Sequence, residues 1–464
     1  MSLDAVKHVI VLIFENRSFD HLLGWMRHPR YGNNPAIAGL VGDIDPATGA
    51  IVNDDYENDA AGYPFQPYFD DSDGPFLSDL PHGRDAVARQ MAFDHTHQRW
   101  TMGGFADAFF HDNPDMGRIN PKPPGCLRML GPAAAPMTAF LARNYCVCDH
   151  WFTPIPTDTH PNRFMALAGY SKIDSTQGGF PEPDHRLVFD WATDNGVPWR
   201  VYSDGFSFCS LMLDRLPATL TQPDRFRRFH DFASDFQNAA DFPSLVLLEP
   251  QFADDPFASA PSDNHPPFPM APGEGFLLRV YQALCGTEAA RRRWAETMLV
   301  VYYDEHGGFF DHVPPLPVTT ICGRDPGQPQ WPAFQTTGPR VPAIVASPLV
   351  EPGSVFSGNL DHTSVLRFLA ERFTPGRAYD DRVRDRHASG LLASLGAVVT
   401  RDAARQTPAP PRLGPFQQIA FPTGRPALTA GQKAFLGARE QAHQNHSDDL
   451  ADVHPESFFV SKAG

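Results

Sequence analysis

The sequence predicts an α/β fold in which helices cover both faces of a mostly parallel sheet. Five mostly apolar runs are too short to be helices, and nearly continuous apolar runs are typical of strands buried on both faces. Stretches with helical periodicity lie between them, and alternating strands and helices are typical of α/β proteins. The runs are residues 9–14, 199–202, 245–248, 299–303 and 341–346.

Acidic and polar residues follow four of these runs at their carboxyl ends. They are Glu15-Asn16, Ser203-Asp204, Glu249 and Asp304-Glu305. In open α/β sheets, ligands bind beyond this edge. Charged residues are also common in solvated loops, but the same arrangement after four strands favours a functional site at this edge.

Helical periodicity and composition indicate how the chain is organised. Apolar residues recur at intervals of three and four in 275–284 and 364–373, which predicts helices there. Residues 33–79 are rich in Gly, Pro, Asp and Asn and are expected to form a long ordered insertion at the mouth of the site. We expect a main domain over 1–375 and a C-terminal extension over 376–464 that packs on it and contains a capped helix over 429–444.

The charge balance makes several classes of function unfavourable. The 464 residues include 38 Lys and Arg against 54 Asp and Glu, a net charge of −16. Nucleic acids and anionic membranes normally require a basic surface, so we expect no nucleic-acid partner. No apolar run approaches the ~18 residues of a transmembrane helix, and no signal peptide is visible. We expect a cytoplasmic protein, or a secreted or periplasmic one if a cleaved segment precedes this sequence; the oligomeric state is left open.

A predicted helix begins in the segment TDTHPNR at 157–163. Proline stands near its first turn and glycine at its end. A helix start presents free N–H groups to an anion, and a threonine hydroxyl there is a candidate nucleophile if a cation lowers its pKa. The alternative is that Thr157 or Thr159 only caps the helix.

Two further groups of residues are candidates for chemistry. Glu15, Asn16, Asp304 and Glu305 offer only oxygen ligands, which favours Ca²⁺, Mg²⁺ or Mn²⁺ over Zn²⁺, although solvated loop carboxylates explain them equally well. Histidines could bind metal, hold phosphate or protonate a leaving group. Most of the 19 histidines must be structural or exposed, and the candidates are His82, His95, His97, His230, His265, His306, His312 and His362.

Taken together, these segments resemble one family closely, the phosphoesterases that include non-specific phospholipases C and the AcpA-type acid phosphatase, within the alkaline-phosphatase-like superfamily. The resemblance covers about residues 9–373 and follows one order of motifs. They are ENRSFDHLLG at 15–24, THPNR at 159–163, EP at 249–250, DNHPP at 263–267, YDEHGGFFDHV at 303–313, RVPAIVASP at 340–348 and DHTS at 361–364.

The resemblance implies a fold, a catalytic domain and a set of site residues. The fold would be a three-layer α/β/α sandwich, with 1–375 as the phosphoesterase catalytic domain. Thr159 would be the nucleophile. One divalent metal ion would be held by Glu15, Asn16, Thr159, Asp304 and Glu305, and the substrate phosphate would lie near Asn16 and Arg163. The catalytic histidines would be His82, His230 and His265. His312 and Asp158 are further candidates.

The implied activity is metal-dependent hydrolysis of phosphodiesters of the phospholipase C type, through a phosphothreonine intermediate. A histidine, His265 or His230, would protonate the leaving group, and the products would be diacylglycerol and a phosphorylated head group. The alternative is an AcpA-like acid phosphatase acting on phosphomonoesters. A threonine at the nucleophile position favours the phospholipase branch, whereas Asp158 departs from the family's small residue and could disfavour anionic head groups.

The implied partners are a phospholipid or a small phosphate ester, with transient contact at a membrane surface. Aromatic segments 105–110 and 206–208 could line a groove for acyl chains. Buried core aromatics explain these segments at least as well.

Overall fold

The computed structural model describes most of the chain. The described residues are 3–60, 62–72, 79–114, 123–178, 186–209, 224–255, 261–323, 331–413, 432–434 and 436–437.

Eight strands of the described chain form one central sheet in the order β4–β3–β5–β1–β6–β7–β2–β8. All neighbouring strands are parallel except β7, which runs antiparallel to both β6 and β2. The strands are β1 His8–Phe14, β2 Cys146–Cys148, β3 Trp199–Ser203, β4 Phe226–Arg228, β5 Leu245–Glu249, β6 Thr297–Tyr303, β7 Ala343–Ala346 and β8 Val355–Phe356.

Helices connect these strands. In the described ranges the α-helices are α1 Phe19–Leu23, α2 Arg84–Met91, α3 Phe105–Asp112, α4 Pro136–Asn144, α5 Thr159–Ala168, α6 Val188–Asp194, α7 Phe229–Asn238, α8 Ala271–Cys285, α9 Glu288–Trp294, α10 Thr363–Phe373 and α11 Asp381–His387.

The side chains of β1 show that helices cover both faces of the sheet. Val11 lies with Leu167 of α5 and Leu366 of α10 around a small apolar space on one face. On the other face, the ring of Phe14 meets Phe276 of α8 edge to face, with 6.4 Å between ring centroids. Because successive side chains of a strand point to opposite faces, these contacts establish a three-layer α/β/α arrangement, as predicted.

The register of the sheet brings the two acidic turns together. β1 lies between β5 and β6, and Phe14 pairs with Tyr303 at the carboxyl end of both strands. Glu15 and Asp304 therefore follow at the same height on neighbouring parallel strands. The prediction that both acidic pairs lie at one edge of the sheet is confirmed.

The five predicted strands and the helices predicted at 275–284, at 364–373 and after 157 are present, with one difference in strand direction. The predicted strand 341–346 is β7, which begins after Pro342 because proline has no N–H for the ladder. β7 runs antiparallel to its neighbours. Apolar composition reports that a strand is buried but not which way it runs.

Five short two-stranded pairs lie outside the central sheet among the described residues, and three of them include residues of the insertion 33–79. No helix among the described residues is long and apolar enough to cross a membrane. In the C-terminal segment, α11 packs against α10 and the chain is described to residue 413. The predicted helix 429–444 falls outside the described residues except for 432–434 and 436–437, which are helical. The paired strands are Asp43–Ile44 with Ile51–Val52, Asn58–Ala60 with Tyr63–Phe65, Tyr68–Phe69 with Arg128–Met129, Phe93–Asp94 with Arg99–Trp100, and Trp151–Phe152 with Leu360–Asp361.

Candidate active site

The turn after β1 is bonded directly to the turn after β6. Asn16 has a left-handed backbone with φ of 63°, a conformation that asparagine tolerates better than most residues. Its N–H donates to Asp304 Oδ1 at 3.1 Å, and the Arg17 N–H donates to the Glu305 carbonyl at 3.1 Å. The two acidic pairs are thus held together by backbone hydrogen bonds.

Three fully buried carboxylates, those of Glu15, Asp304 and Glu305, share one pattern: among the described residues, one oxygen accepts hydrogen bonds and the other accepts none. Two of these second oxygens lie near a cationic group, Asp304 Oδ2 at 3.5 Å from Arg163 Nε and Glu305 Oε1 at 4.0 Å from His82 Nε2. Arg163 Nη2 donates to Glu15 Oε1 at 2.8 Å. The N–H groups of Asn16 and Glu305 donate to Asp304 Oδ1, and the Gly307 N–H donates to Glu305 Oε2 at 2.7 Å. Among the described atoms, Glu15 Oε2, Asp304 Oδ2 and Glu305 Oε1 are buried without a hydrogen-bond partner.

These free oxygens fit a cation. An unpaired buried charge is costly unless it is paired or coordinates a metal, and oxygen ligands of this kind suit Ca²⁺, Mg²⁺ or Mn²⁺. Burial, reinforced by the negative charges of Glu15 and Glu305, raises the pKa of Asp304 well above its usual value. For Glu305, burial acts to raise the pKa, but His82 and His306 outweigh it and hold the pKa below its usual value.

Thr159 is the first residue of α5, and its hydroxyl contacts the turn that follows β1. Asp158 occupies the N-cap position, and the Thr157 hydroxyl donates to the Asp174 carbonyl at 2.8 Å. Neither threonine caps the helix, so that alternative does not hold. Thr159 Oγ1 instead donates to Asn16 Oδ1 at 3.4 Å, and Asn16 belongs to the turn that carries Glu15.

His82 and His265 lie beside the carboxylates. His82 Nε2 is 4.0 Å from Glu305 Oε1, and His265 Nε2 is 2.9 Å from Asn16 Nδ2. Burial acts to lower the pKa of both imidazoles, but the surrounding carboxylates, Asp79 among them, raise it to about 9 for His82 and about 10 for His265. Both rings are therefore suited to hold positive charge next to a phosphate.

The structure does not bring His230 into this group. Its side chain is 78% exposed, and Nε2 lies 3.2 Å from Asp231 Oδ1. In α7, Phe229, Phe232 and Phe236 are buried, so the helix turns its apolar face to the core and His230 to solvent. This placement departs from the predicted role of His230 in the phosphate pocket.

Arg163 is also placed differently from the prediction. Its guanidinium is 5% exposed, packs against the rings of Phe208 and Phe252, and donates to Glu15. It therefore contacts the predicted metal ligands, whereas the prediction assigned it to substrate phosphate. Phe105 is fully buried against His306, and Phe208 is buried too, so both are core aromatics and do not line an open acyl groove.

His312 belongs to a second acidic group. Ligand atoms of Asp20, Asp311 and His312 lie within 4.8 Å of one another. Arg340 donates to Asp311 Oδ1 at 2.8 Å and to Asp20 Oδ1 at 3.1 Å. All four carboxylate oxygens of Asp20 and Asp311 already accept hydrogen bonds, so the group fits a metal ion less well than the three carboxylates that each keep one oxygen without a hydrogen bond. His312 is 2.6 Å from Asp20 Oδ2 and contributes to this ion-pair cluster.

Two buried carboxylates near His265 were not singled out by the sequence. The Asp263 carbonyl accepts from the Glu15 N–H at 2.8 Å, and Asp263 Oδ1 accepts from the His265 N–H at 3.2 Å. Burial, together with the charge of Glu15, raises the pKa of Asp263 and of Asp254 to about 7. The DNHPP motif could have pointed to Asp263, whereas Asp254 lies in no motif that the sequence analysis found.

His362 is hydrogen-bonded to the backbone of Asp304. Trp151 Nε1 donates to His362 Nδ1 at 3.0 Å, so Nε2 carries the hydrogen and donates to the Asp304 carbonyl at 2.7 Å. Burial lowers the pKa of His362 to about 4, which keeps this ring neutral. A neutral ring with a defined tautomer orients the backbone that presents Asp304.

Replacing Gly307 by alanine is expected to disrupt the site. Gly307 has φ of 63°, and a Cβ there would lie 2.1 Å from the Asn16 carbonyl oxygen. We expect a loss of stability above the ~1–2 kcal/mol of left-handed strain, together with reduced activity because Asn16 must move. Thermal unfolding and turnover would be measured against Gly376→Ala, where φ is 83° and no atom lies within 4 Å. Equal losses in both variants would contradict the proposed close approach.

The family of the chain follows from comparison with known proteins. The model of the Phosphoesterase family matches residues 6–374. Non-specific phospholipase C6 of Arabidopsis thaliana is 29% identical over 364 residues, covering 76% of this chain and 63% of the relative. Non-specific phospholipase C1 of the same plant is 30% identical over 370 residues, covering 75% and 62%. Phospholipase C B of Mycobacterium tuberculosis is 26% identical over 412 residues, covering 80% and 74%.

The matched region leaves part of these relatives uncovered. The chain spans less than two thirds of the length of the two plant enzymes described above. A solved structure described as a protein in the alkaline phosphatase superfamily from Vibrio parahaemolyticus overlaps 52% of this chain and 61% of its own, at 11% identity and a TM-score of 0.30. So weak an overlap decides nothing about the fold, whose α/β class is established by the sheet itself. Because the family model matches well over half of the sequence, the chain belongs to the Phosphoesterase family.

Proposed function

We propose that the protein is a metal-dependent phosphodiester hydrolase of the phospholipase C type, cleaving glycerophospholipids to diacylglycerol and a phosphorylated head group. One observation carries this proposal: the Thr159 hydroxyl, at a helix start, contacts Asn16 beside three buried carboxylates with free oxygens. The names of the relatives, phospholipases C from plants and bacteria, support the same class of substrate. A lipid substrate also requires transient contact with a membrane surface.

The residues that would hold the metal ion are Glu15, Asn16, Thr159, Asp304 and Glu305. When bound, a divalent cation lowers the pKa of an adjacent hydroxyl and offsets negative charge on the phosphoryl oxygens.

The protein's own residues would act in two steps. In the first, Thr159 Oγ, having released its proton to water, attacks phosphorus, and the bond from phosphorus to the diacylglycerol oxygen breaks. The positive end of the helix dipole at the start of α5 stabilises the phosphoryl oxygens. His265, when its ring is protonated, donates a proton from Nε2 to the departing alkoxide. The product of this step is Thr159 esterified to the phosphorylated head group.

The second step reverses the roles. Neutral His265 accepts a proton from water, which attacks phosphorus and breaks the bond to Thr159 Oγ. The threonine oxygen takes up a proton from water, and the phosphorylated head group leaves. His82, on the Glu305 side of the cluster, holds the phosphoryl oxygens by its positive charge in both steps.

A phosphomonoesterase is the second candidate, and one observation favours it. Two imidazoles with raised pKa, His82 and His265, lie close enough to interact electrostatically. Two positive charges suit the dianion of a monoester as well as the single charge of a diester.

A substrate panel tests the proposal. Purified protein would be assayed on a chromogenic phosphodiester, on phosphatidylcholine and on a chromogenic phosphomonoester, each with chelator and with Ca²⁺, Mg²⁺ or Mn²⁺ restored. We expect turnover of the diester and the lipid that chelator abolishes and metal restores. Turnover of the monoester alone would assign the protein to the phosphatase branch, and turnover that survives chelation would contradict metal dependence.

Replacing Asp158 by asparagine is expected to change head-group preference. The carboxylate precedes Thr159, is mostly buried, and accepts from the Thr176 N–H at 2.7 Å. Its negative charge should disfavour anionic head groups by repulsion. We expect Asp158→Asn to raise the ratio of phosphatidylglycerol to phosphatidylcholine turnover about tenfold, the effect of ~1.4 kcal/mol. Asp174→Asn, at a carboxylate paired with Arg84, is the control, and an unchanged ratio in Asp158→Asn would contradict the role.

A further inference from the structure

Arg163 lies next to the carboxylate cluster formed by Glu15, Asp304 and Glu305. Its Nη2 donates to Glu15 Oε1 at 2.8 Å, and its Nε lies 3.5 Å from Asp304 Oδ2. The centroids of the Phe208 and Phe252 rings lie 4.8 and 4.9 Å from its guanidinium carbon. The planar group is therefore enclosed by two aromatic rings and two carboxylates, in a position that is 95% buried.

Both carboxylates that Arg163 meets are among the proposed metal ligands. Buried carboxylates repel one another and lose their hydration, and they are tolerated when an opposite charge lies nearby. Arg163 supplies that charge from within the chain. It also binds one oxygen of Glu15, which leaves Oε2 as the free oxygen.

The aromatic rings contribute to the same arrangement. A guanidinium over the face of a phenyl ring is attracted by the ring quadrupole, and more strongly where water is excluded. Phe208 and Phe252 also contact each other, with ring centroids 5.6 Å apart. These ring contacts help to hold the guanidinium of Arg163 next to Glu15 and Asp304 whether or not an ion is present.

We propose that Arg163 is a positioning residue that serves as the internal counter-ion of the carboxylate cluster and keeps the chain folded while the metal site is empty. The inference rests on the proposed metal-dependent function. It also gives Arg163 a role different from the phosphate contact expected from the sequence. The metal ion and Arg163 then share the task of balancing the same buried charge.

Thermal unfolding of the full chain, in excess chelator and in saturating Mn²⁺, tests this role. Removing the counter-ion by Arg163→Met makes folding depend on the ion, because Mn²⁺ then supplies the charge that is missing. We expect chelator to lower the Tm of Arg163→Met by at least about 5 °C more than it lowers the Tm of the unsubstituted protein. Arg163→Lys, which keeps a positive charge, should recover part of this resistance to chelator.

Arg386→Met is the matched control. Arg386 is 7% exposed and donates from Nε to Asp361 Oδ2 at 2.6 Å, so it also pairs with a buried carboxylate, but with one outside the proposed metal ligands. Its loss should lower the Tm equally with chelator and with Mn²⁺. Equal losses of this kind in Arg163→Met would show a packing role only and would overturn the proposal.

The remaining outcomes also decide the question. If Arg163→Met folds only when Mn²⁺ is present, the proposal is supported. If it does not fold in either condition, Arg163→Gln, which is neutral but polar, is measured in its place with the same expectation and the same contrary result. A larger response to chelator in a protein without phosphodiester turnover would support the counter-ion and reject the proposed activity. If Ca²⁺, Mg²⁺ and Mn²⁺ each stabilise none of the proteins, both the counter-ion and the metal-dependent activity are rejected.

Discussion

Thr159→Ala is expected to reduce phosphodiester turnover by at least about 10³-fold while the protein stays folded. The substitution removes the only atom of this side chain that can attack phosphorus. Among the described residues, Thr159 Oγ1 makes one long hydrogen bond, of 3.4 Å to Asn16 Oδ1, so its loss costs little stability. Turnover of the chromogenic diester and of phosphatidylcholine would be measured at saturating metal ion, together with thermal unfolding.

Two variants serve as controls for this result. Thr159→Ser keeps a hydroxyl at the helix start and should retain measurable turnover. Thr157→Ala removes a neighbouring hydroxyl that donates to the Asp174 carbonyl, and should leave most of the activity. Mass spectrometry of the quenched reaction should find the phosphorylated head group on Thr159. Full activity of Thr159→Ala would reject this residue as the nucleophile.

Asp304→Asn is expected to weaken divalent-metal binding by about 100-fold or more, and to lower turnover at a fixed metal concentration. The asparagine carbonyl can still accept from the N–H groups of Asn16 and Glu305, which now donate to Asp304 Oδ1. The free oxygen Oδ2, however, is replaced by an amide nitrogen that cannot ligate a hard cation. Calorimetric titration with Mn²⁺ measures the affinity without reference to activity.

The control for this variant is Asp361→Asn. Asp361 is also fully buried, but its carboxylate pairs with Arg386 and accepts from Thr363. We expect Asp361→Asn to lower the Tm and to leave the affinity for Mn²⁺ unchanged. An affinity for Mn²⁺ that stays the same in Asp304→Asn would remove this carboxylate from the proposed ligand set.

The acidic turns illustrate how much of the site could be predicted from sequence. Glu15 and Asp304 each follow a short apolar run, and parallel strands end at the same edge of a sheet. Only the pairing of β1 with β6 had to be assumed, and the register Phe14 to Tyr303 bears it out. Thr159 was likewise predicted at a helix start, because proline and glycine mark the ends of α5.

His230 and Arg163 show where sequence patterns were insufficient. A histidine offers the same chemistry on either face of a helix, and the burial of Phe229, Phe232 and Phe236 is what turns His230 to solvent. An arginine one turn after a nucleophile could point to the phosphate or into the core. Packing against Phe208 and Phe252, which come from two other segments of the chain, determined the second outcome.

By itself, the sequence determined the α/β class, most strands of the central sheet, the helix that begins at Thr159 and the residue types available for a cation and a phosphate. These properties depend on local periodicity, capping residues and short motifs, and the residues involved are close together in the sequence. The tertiary structure alone decided which oxygens of Glu15, Asp304 and Glu305 are free, which histidines face the cluster and which arginine balances its charge. Those outcomes depend on contacts between residues far apart in the chain, and each is set by the burial and hydrogen bonding that folding imposes.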